Sequence, residues 1–244
     1  GSFYAGDGSS YGTFRGIAAN EPLKIGNFAS VIKCEDTGYD DAQLEGNGIW
    51  IHGTKGISQS SDRAVNINSN FPTGYRAFYC MKYEVSQKQY ADFLNTLTPA
   101  QVSNRVFTST GSGYTIRLED GRYVSETPDR PNNWMDWADA MAYADWACLR
   151  PMTELEYEKA SRGLLAPVAG EYAWGNPNIV SYAYTVQQSG TAGEAISNPD
   201  PIRGNCSYNI SSPSRPLRSG IFAEARNNSR IRSGASVWGI MELS

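Results

Sequence analysis

Histidine is nearly missing from this chain: His52 is the only one among 244 residues. A zinc centre built on two or three imidazoles is thereby excluded. A Ser-His-Asp triad would have to recruit His52, and no G-x-S-x-G elbow accompanies it. It lies in the turn His52-Gly53-Thr54-Lys55-Gly56 after a β-like run, where a solvated or locally bonded imidazole is expected. Cysteine is sparse too. Cys34, Cys80, Cys148 and Cys206 are widely spaced and form no C-x-x-C pair, so the signatures of a structural zinc site and of a dithiol redox motif are both missing. Their pairing stays open, because four cysteines allow three connectivities and buried free thiols are the alternative. No stretch of 18 apolar residues occurs, so no membrane-spanning helix is expected. An excess of positive charge is also lacking. With 21 basic against 25 acidic residues the formal net charge is −4, which gives no attraction to nucleic acid or anionic lipid.

What is present is a loop-rich, aromatic chain: 24 Gly, 12 Pro, 15 Tyr and 6 Trp, at 40% hydrophobic residues. A chain of this length can bury a sizeable core, and here the aromatic rings supply much of its area. Most of the basic residues are Arg. Arg203, Arg215, Arg218, Arg226, Arg230 and Arg232 are spread among Pro, Ser and Gly, and are read as donors that anchor loops rather than as a polyanion patch.

Residues 1 to 70 read as short strands (Ser2 to Ala5, Ser30 to Lys33, Gly48 to His52) between turn signals such as Glu35-Asp36-Thr37-Gly38. A β-rich run, Ala77 to Val85, then leads to an S-x-x-Q capping box at Ser86 and Gln89. The box predicts a helix over 87–97 with Tyr90, Phe93, Leu94 and Leu97 on one face and Pro99 after its end. Glu119-Asp120-Gly121 predicts a hairpin between Tyr114 to Leu118 and Arg122 to Val124. Asp136 offers an N-cap for a helix over 137–146, and Thr153 with Glu156 forms a capping box for a third helix ending at Gly163. From Pro167 to Ser236 the chain is expected to be irregular, as befits a functional or tightly anchored loop region.

Several residues invite a chemical role and are better explained otherwise. Glu154, Glu156 and Glu158 could act as general acids, but capping and the helix dipole account for the first two. Asp36, Asp40, Asp41 and Glu45 imitate a calcium loop, yet position 6 would be Asp41 instead of Gly and position 12 Asn47 instead of Glu. Gly111-Ser112-Gly113 lacks the helix and lysine of a phosphate loop. Asn205, Asn209 and Asn227 head N-x-S sequons, which Asn- and Ser-rich loops produce by chance. No residue is therefore assigned a catalytic, cofactor-binding or metal-binding role.

Six ordered segments resemble the sulfatase-modifying factor family, whose founding activity is the formylglycine-generating enzyme. Gly1-Ser2-Phe3-Tyr4-Ala5-Gly6 is similar to its opening strand, and Glu84-Val85-Ser86-x-x-Gln89-Tyr90 to its E-V-T-N helix start. Asn133-Trp134-Met135-Asp136-Trp137 through Trp146 resembles V-S-W-x-D-A-x-A-Y-C-x-W, and Arg150-Pro151-Met152-Thr153-Glu154-Leu155-Glu156-Tyr157-Glu158 resembles R-L-P-T-E-A-E-W-E. Tyr172-Ala173-Trp174-Gly175 is similar to Y-P-W-G, and Trp238-Gly239-Ile240-Met241-Glu242-Leu243-Ser244 to F-G-L-Y-D-M-x.

The resemblance implies an α+β, C-type-lectin-like fold of short strands, about three helices and much irregular structure. It also implies one domain over 1–244 with a family-atypical insertion at 15–70, where the residues alone read as two domains. In the family the copper-binding cysteine pair and the calcium sites follow a G-N-V-W-E motif. The polypeptide is accordingly expected to continue past Ser244, with copper and calcium belonging to a longer family member and none to residues 1–244. The function expected of the chain as it stands is a non-catalytic binding or structural module, exported or at the cell surface, taking a protein or glycan partner, with self-association left open. The alternative is a copper-dependent formylglycine-generating oxidase, or a related metal-dependent oxidase, whose cysteines and metal sites lie downstream.

Overall fold

Helix starts follow from four-residue signals. Ser86 accepts the Gln89 amide at 3.2 Å while the Gln89 side chain accepts the Ser86 amide at 2.9 Å. Asp136 with Asp139, and Thr153 with Glu156, close the same reciprocal box and satisfy amides that a helix start leaves bare. The computed structural model describes residues 1–6, 22–26, 32–35, 49–50, 66–67, 70–109, 111–207, 216–224 and 228–244. Among them the chain order is β1 (Phe3–Ala5), β2 (Leu23–Ile25), β3 (Ile32–Glu35), β4 (Ile49–Trp50), β5 (Asn66–Ile67), α1 (Gln87–Leu94), α2 (Pro99–Val102), β6 (Ile116–Glu119) and β7 (Arg122–Ser125). Then come α3 (Trp137–Trp146), α4 (Glu154–Arg162), β8 (Val186–Gln187), β9 (Ala195–Ile196) and α5 (Arg230–Ser233). The chain is thus mixed α and β, with strands of two to four residues.

Two compact units share the chain. The first comprises residues 1–80, 152–178 and 236–238; the second comprises 81–151, 179–235 and 239–244.

In the first unit β1 pairs antiparallel with β2, and Phe3 faces Ile25 across the ladder. A second sheet has the order β4-β3-β5, parallel between β3 and β4 and antiparallel between β3 and β5. Helix α4 packs on β1 with Leu155 and Ala160 buried. Lys159 runs its apolar stem inward and ends among backbone oxygens, donating to Gly74 O at 2.5 Å and Arg76 O at 3.2 Å between the rings of Phe3 and Phe78. Burial lowers its pKa, and the carbonyls supply the acceptors that a buried ammonium requires.

In the second unit α1 lays Tyr90, Phe93 and Leu94 against Tyr114, Ile116 and Tyr143. Each large side chain buried in this way contributes about 1.5–3 kcal/mol. Buried Gln87 ties the helix to the β6–β7 hairpin, donating to Gly113 O at 2.7 Å and accepting from the Thr115 amide at 3.0 Å. A second core gathers Val180, Tyr184, Ile196, Leu217, Ile221, Phe222, Ala235 and Met241 from β9 and the largely irregular segments around it.

Three expectations need correction. Helix α1 stops at Leu94, and Thr98 opens a separate turn of helix, α2, because Thr98-Pro99-Ala100-Gln101 is itself a capping box with Pro at the first helical position. Pro99 starts a helix where it was expected to follow one. The run Ala77 to Val85 forms no strand; Lys82 O accepts the Met241 amide at 2.9 Å and Val85 O the Asn132 amide at 2.7 Å, single bonds instead of a ladder. The hairpin pairs Ile116 with Ser125, so its first strand begins later than Tyr114, while Asp120 and Gly121 have φ of 48° and 77° as a tight hairpin turn requires.

Candidate functional site

The glutamates of α4 are held by structure. Glu156 is buried and its carboxylate accepts the Thr153 amide at 3.0 Å. The Glu158 carboxylate accepts the Gly6 amide at 2.8 Å and a guanidinium N–H of Arg162 at 3.0 Å, fastening the end of β1 to the helix. Arg162 also donates to Glu171 at 2.5 Å and to Tyr4 O at 3.0 Å. Arg218, one of the predicted loop anchors, donates its amide to Glu194 at 2.7 Å and its Nε to the Glu194 carbonyl at 2.9 Å. Asn205 is buried, and its sequon amide is spent on the Asp200 and Arg232 carbonyls at 2.9 and 2.8 Å. Arg215, Arg226, Asn209, Asn227, His52 and the acidic group Asp36, Asp40, Asp41 and Glu45 lie outside the described residues.

Two surface features of the second unit combine spare polar groups with space. The larger is a groove of about 600 Å³ lined by Lys82, Tyr83, Glu84, Asp129, Arg218 and Ser219, among others. Burial raises the Glu84 carboxyl above its ordinary pKa. Glu242 is pushed up to about 7 by burial and by the charge of Glu84, although the Gly220 amide donates to its Oε1 at 2.8 Å. Its Oε2 is buried without a hydrogen-bond partner among the described residues. Gly220 permits this arrangement: at φ 67° it carries no side chain, and a Cβ there would sit 2.3 Å from the Tyr83 ring. Burial thus favours the protonated form of both carboxyls more than in an ordinary glutamate, and for Glu242 the neighbouring charge of Glu84 adds to it.

The smaller feature is an aromatic platform. Phe107 and Trp134 stack in parallel, with centroids 4.8 Å apart and planes 2° from coplanar, beside a pocket of about 400 Å³. Tyr114 supports Phe107 edge-on at 5.5 Å. Trp134 stays 55% exposed with its inner face covered by Phe107, so the open area is its outer face and edge. Its φ of 57° lies in the left-handed region, which is strained for a bulky residue. Asn104, Arg105, Val106, Met135, Asp136 and Asp139 complete the lining. Trp137 and Met141, further on in α3, are also exposed.

Neither feature was visible to sequence reasoning as a site. Glu84 and Glu242 entered it as motif residues only, and Trp134 as part of a helix-start segment. Cys80, Cys148 and Cys206 are unbridged; Cys206 is buried, Cys148 exposed, and burial together with the charge of Glu156 raises the Cys80 thiol. Among the described residues no three His, Cys, Asp or Glu side chains gather as metal ligands, and no helix is long and apolar enough to cross a membrane.

The sulfatase-modifying factor enzyme 1-like domain model matches residues 41–209. The chain belongs to the sulfatase-modifying factor family. It is 43% identical over 56 residues to the formylglycine-generating enzyme of Thermomonospora curvata, covering 23% of this chain and 18% of that protein. To the formylglycine-generating enzyme of Streptomyces coelicolor it is 45% identical over 53 residues, 22% of this chain and 16% of that one. The aligned stretches thus span less than a fifth of either relative. No solved structure matches the chain significantly.

Proposed function

We propose that this chain acts as a binding or structural module of the sulfatase-modifying factor family, without oxidase chemistry of its own. The observation that carries this reading is the platform at Trp134, an exposed and braced aromatic face bordered by spare polar groups. The acidic side chains of α4, by contrast, are committed to holding structure. The domain would adopt a C-type-lectin-like arrangement over 1–244, with 15–70 as an insertion. Low lysine and abundant Asn, Ser and Tyr favour an exported or cell-surface setting and a protein or glycan partner.

Copper(I) would need two neighbouring thiolates. Of the three cysteines whose side chains are described, Cys206 is buried, Cys148 is exposed and the Cys80 thiol holds its proton more tightly than usual. The second reading, a formylglycine-generating oxidase, is favoured by the local identity to two enzymes of that name. The two readings separate in one assay. The chain is incubated with copper, oxygen and a sulfatase-type cysteine peptide, and the peptide is followed by mass spectrometry. The binding reading expects the cysteine to remain unchanged; conversion to formylglycine would replace it with the oxidase.

A further inference from the structure

We infer that the Phe107–Trp134 platform is a carbohydrate subsite that seats one pyranose ring of a neutral oligosaccharide on the outer face of Trp134. The inference rests on the binding-module reading and gives it a ligand class. Its first support is shape. The stacked Phe107–Trp134 pair, with Tyr114 edge-on to Phe107, lines a pocket of about 400 Å³. That volume lies within the roughly 300–1,000 Å³ typical of small-molecule sites. A pyranose presents a flat row of C–H groups with slight positive character, which complements the negative face of an indole ring.

The second support is the donor and acceptor inventory at the rim. Asn104 uses one amide N–H on Ala100 O at 3.2 Å, leaving its Oδ1 without a partner among the described residues. Arg105 spends one amino group on Asp139 at 3.1 Å and has further N–H groups to offer. Asp136 accepts the Asp139 amide at 2.8 Å through Oδ1, and its second oxygen remains available. Donors and acceptors thus both stand in the lining of the same pocket. Sugar hydroxyls, each both donor and acceptor, need that mixture. A phosphate would be repelled by Asp136 and Asp139 together, while a cationic side chain would find only Asp136 uncompensated, because Arg105 already pairs with Asp139. Neither matches the rim as well.

The third support is strain. Trp134 has φ 57°, and burial does not account for it, because the ring is 55% exposed. A bulky residue kept in that conformation for an exposed ring points from strain to use. Replacing it by Gly should relieve the backbone, offsetting part of the stability lost with the Phe107 stack, while removing the platform.

The test titrates the full chain with chitohexaose, cellohexaose and mannohexaose by calorimetry and tryptophan fluorescence, with an oligo-arginine peptide as the competing chemistry. At least one hexasaccharide should bind. Trp134→Gly should weaken it tenfold or more with the far-UV circular dichroism spectrum and a cooperative melt retained, Asn104→Ala should weaken it severalfold, and Tyr79→Ala, at an unrelated exposed ring, should leave it alone. The inference is overturned if none of the three sugars binds, if binding survives Trp134→Gly, or if only oligo-arginine binds. Failure here with no formylglycine produced sinks the subsite alone, whereas formylglycine production sinks the parent reading whatever the sugars do.

Discussion

Arg130 and Glu194 meet in an ion pair whose side chains are 4% and 0% exposed. The Glu194 carboxylate also accepts the amides of Gly190 at 2.5 Å and Arg218 at 2.7 Å. Burial alone would raise its pKa, but the bonds from Arg130, Gly190 and Arg218 outweigh burial and hold it below the ordinary value. Removing one partner strands a buried charge. Glu194→Gln or Arg130→Met should therefore cost about 3–5 kcal/mol in urea unfolding. The double replacement Arg130→Met with Glu194→Leu should cost clearly less than the two single losses added together, since no charge is then stranded.

The end of α4 depends on Gly163 and Trp238. Gly163 takes φ 76°, and an added Cβ would lie 2.2 Å from Cγ1 of Val237, while the indole N–H of Trp238 caps Lys159 O at 2.9 Å. Gly163→Ala should destabilise by roughly 1–3 kcal/mol, from backbone strain and overpacking combined. Adding Val237→Ala should return the steric part and leave the strain. Trp238→Phe, which keeps a ring but loses the donor, should cost about 1 kcal/mol.

These residues also mark what could be read in advance. Ser86, Asp136 and Thr153 announced three helices because a capping box is complete within four residues. Thr98 announced a fourth just as locally, but Pro99 was weighed as a stop signal although proline also suits the first helical position. Composition misled at Ala77 to Val85, where β-forming side chains meet no ladder partner and the backbone bonds singly to Asn132 and Met241. The site features could not be read at all. Glu84 approaches Glu242, and Phe107 approaches Trp134, only after segments distant in sequence have folded together. The handedness of the Trp134 backbone has no signature in the residue itself.

The Glu84–Glu242 pair should make stability depend on pH. The Glu242 carboxyl has a native pKa raised to about 7 from 4.5, so the native state binds its proton more tightly than the unfolded chain does. Its contribution is complete below the unfolded value and is lost as pH rises through the folded one. Between about pH 5 and pH 8 the loss is on the order of 2–3 kcal/mol, and Glu84 acts in the same direction. Glu194 has the opposite sign and matters only as pH falls. Thermal midpoints should therefore drop from pH 5 to pH 8 in the wild type by more than in Glu242→Gln, whose side chain carries no titrating proton. Parallel profiles for the two proteins would remove Glu242 as the source.

Asn205 heads an N-x-S sequon and yet is 1% exposed, with its Oδ1 accepting the Tyr184 hydroxyl at 3.0 Å and the Asp200 amide at 2.8 Å. Its Nδ2 donates to Asp200 O at 2.9 Å and Arg232 O at 2.8 Å, so the amide nitrogen that would carry a sugar is already the hinge of two loops. Gly234 presses on the same residue: a Cβ there would come within 2.0 Å of Asn205 O. A glycan at this nitrogen would take the place of one N–H, so at least one of the two carbonyl bonds would be lost, and it could not fit the buried space. When the chain is expressed in a eukaryotic secretory pathway, peptide mapping of the folded fraction should find Asn205 unmodified. Asn205→Ala should cost roughly 3–5 kcal/mol, because the buried Tyr184 hydroxyl and the Asp200 amide would be left without their acceptor. Asn205→Asp keeps that acceptor but loses both donors beside Asp200, so it should be destabilised as well, increasingly as pH rises and the new carboxyl ionises.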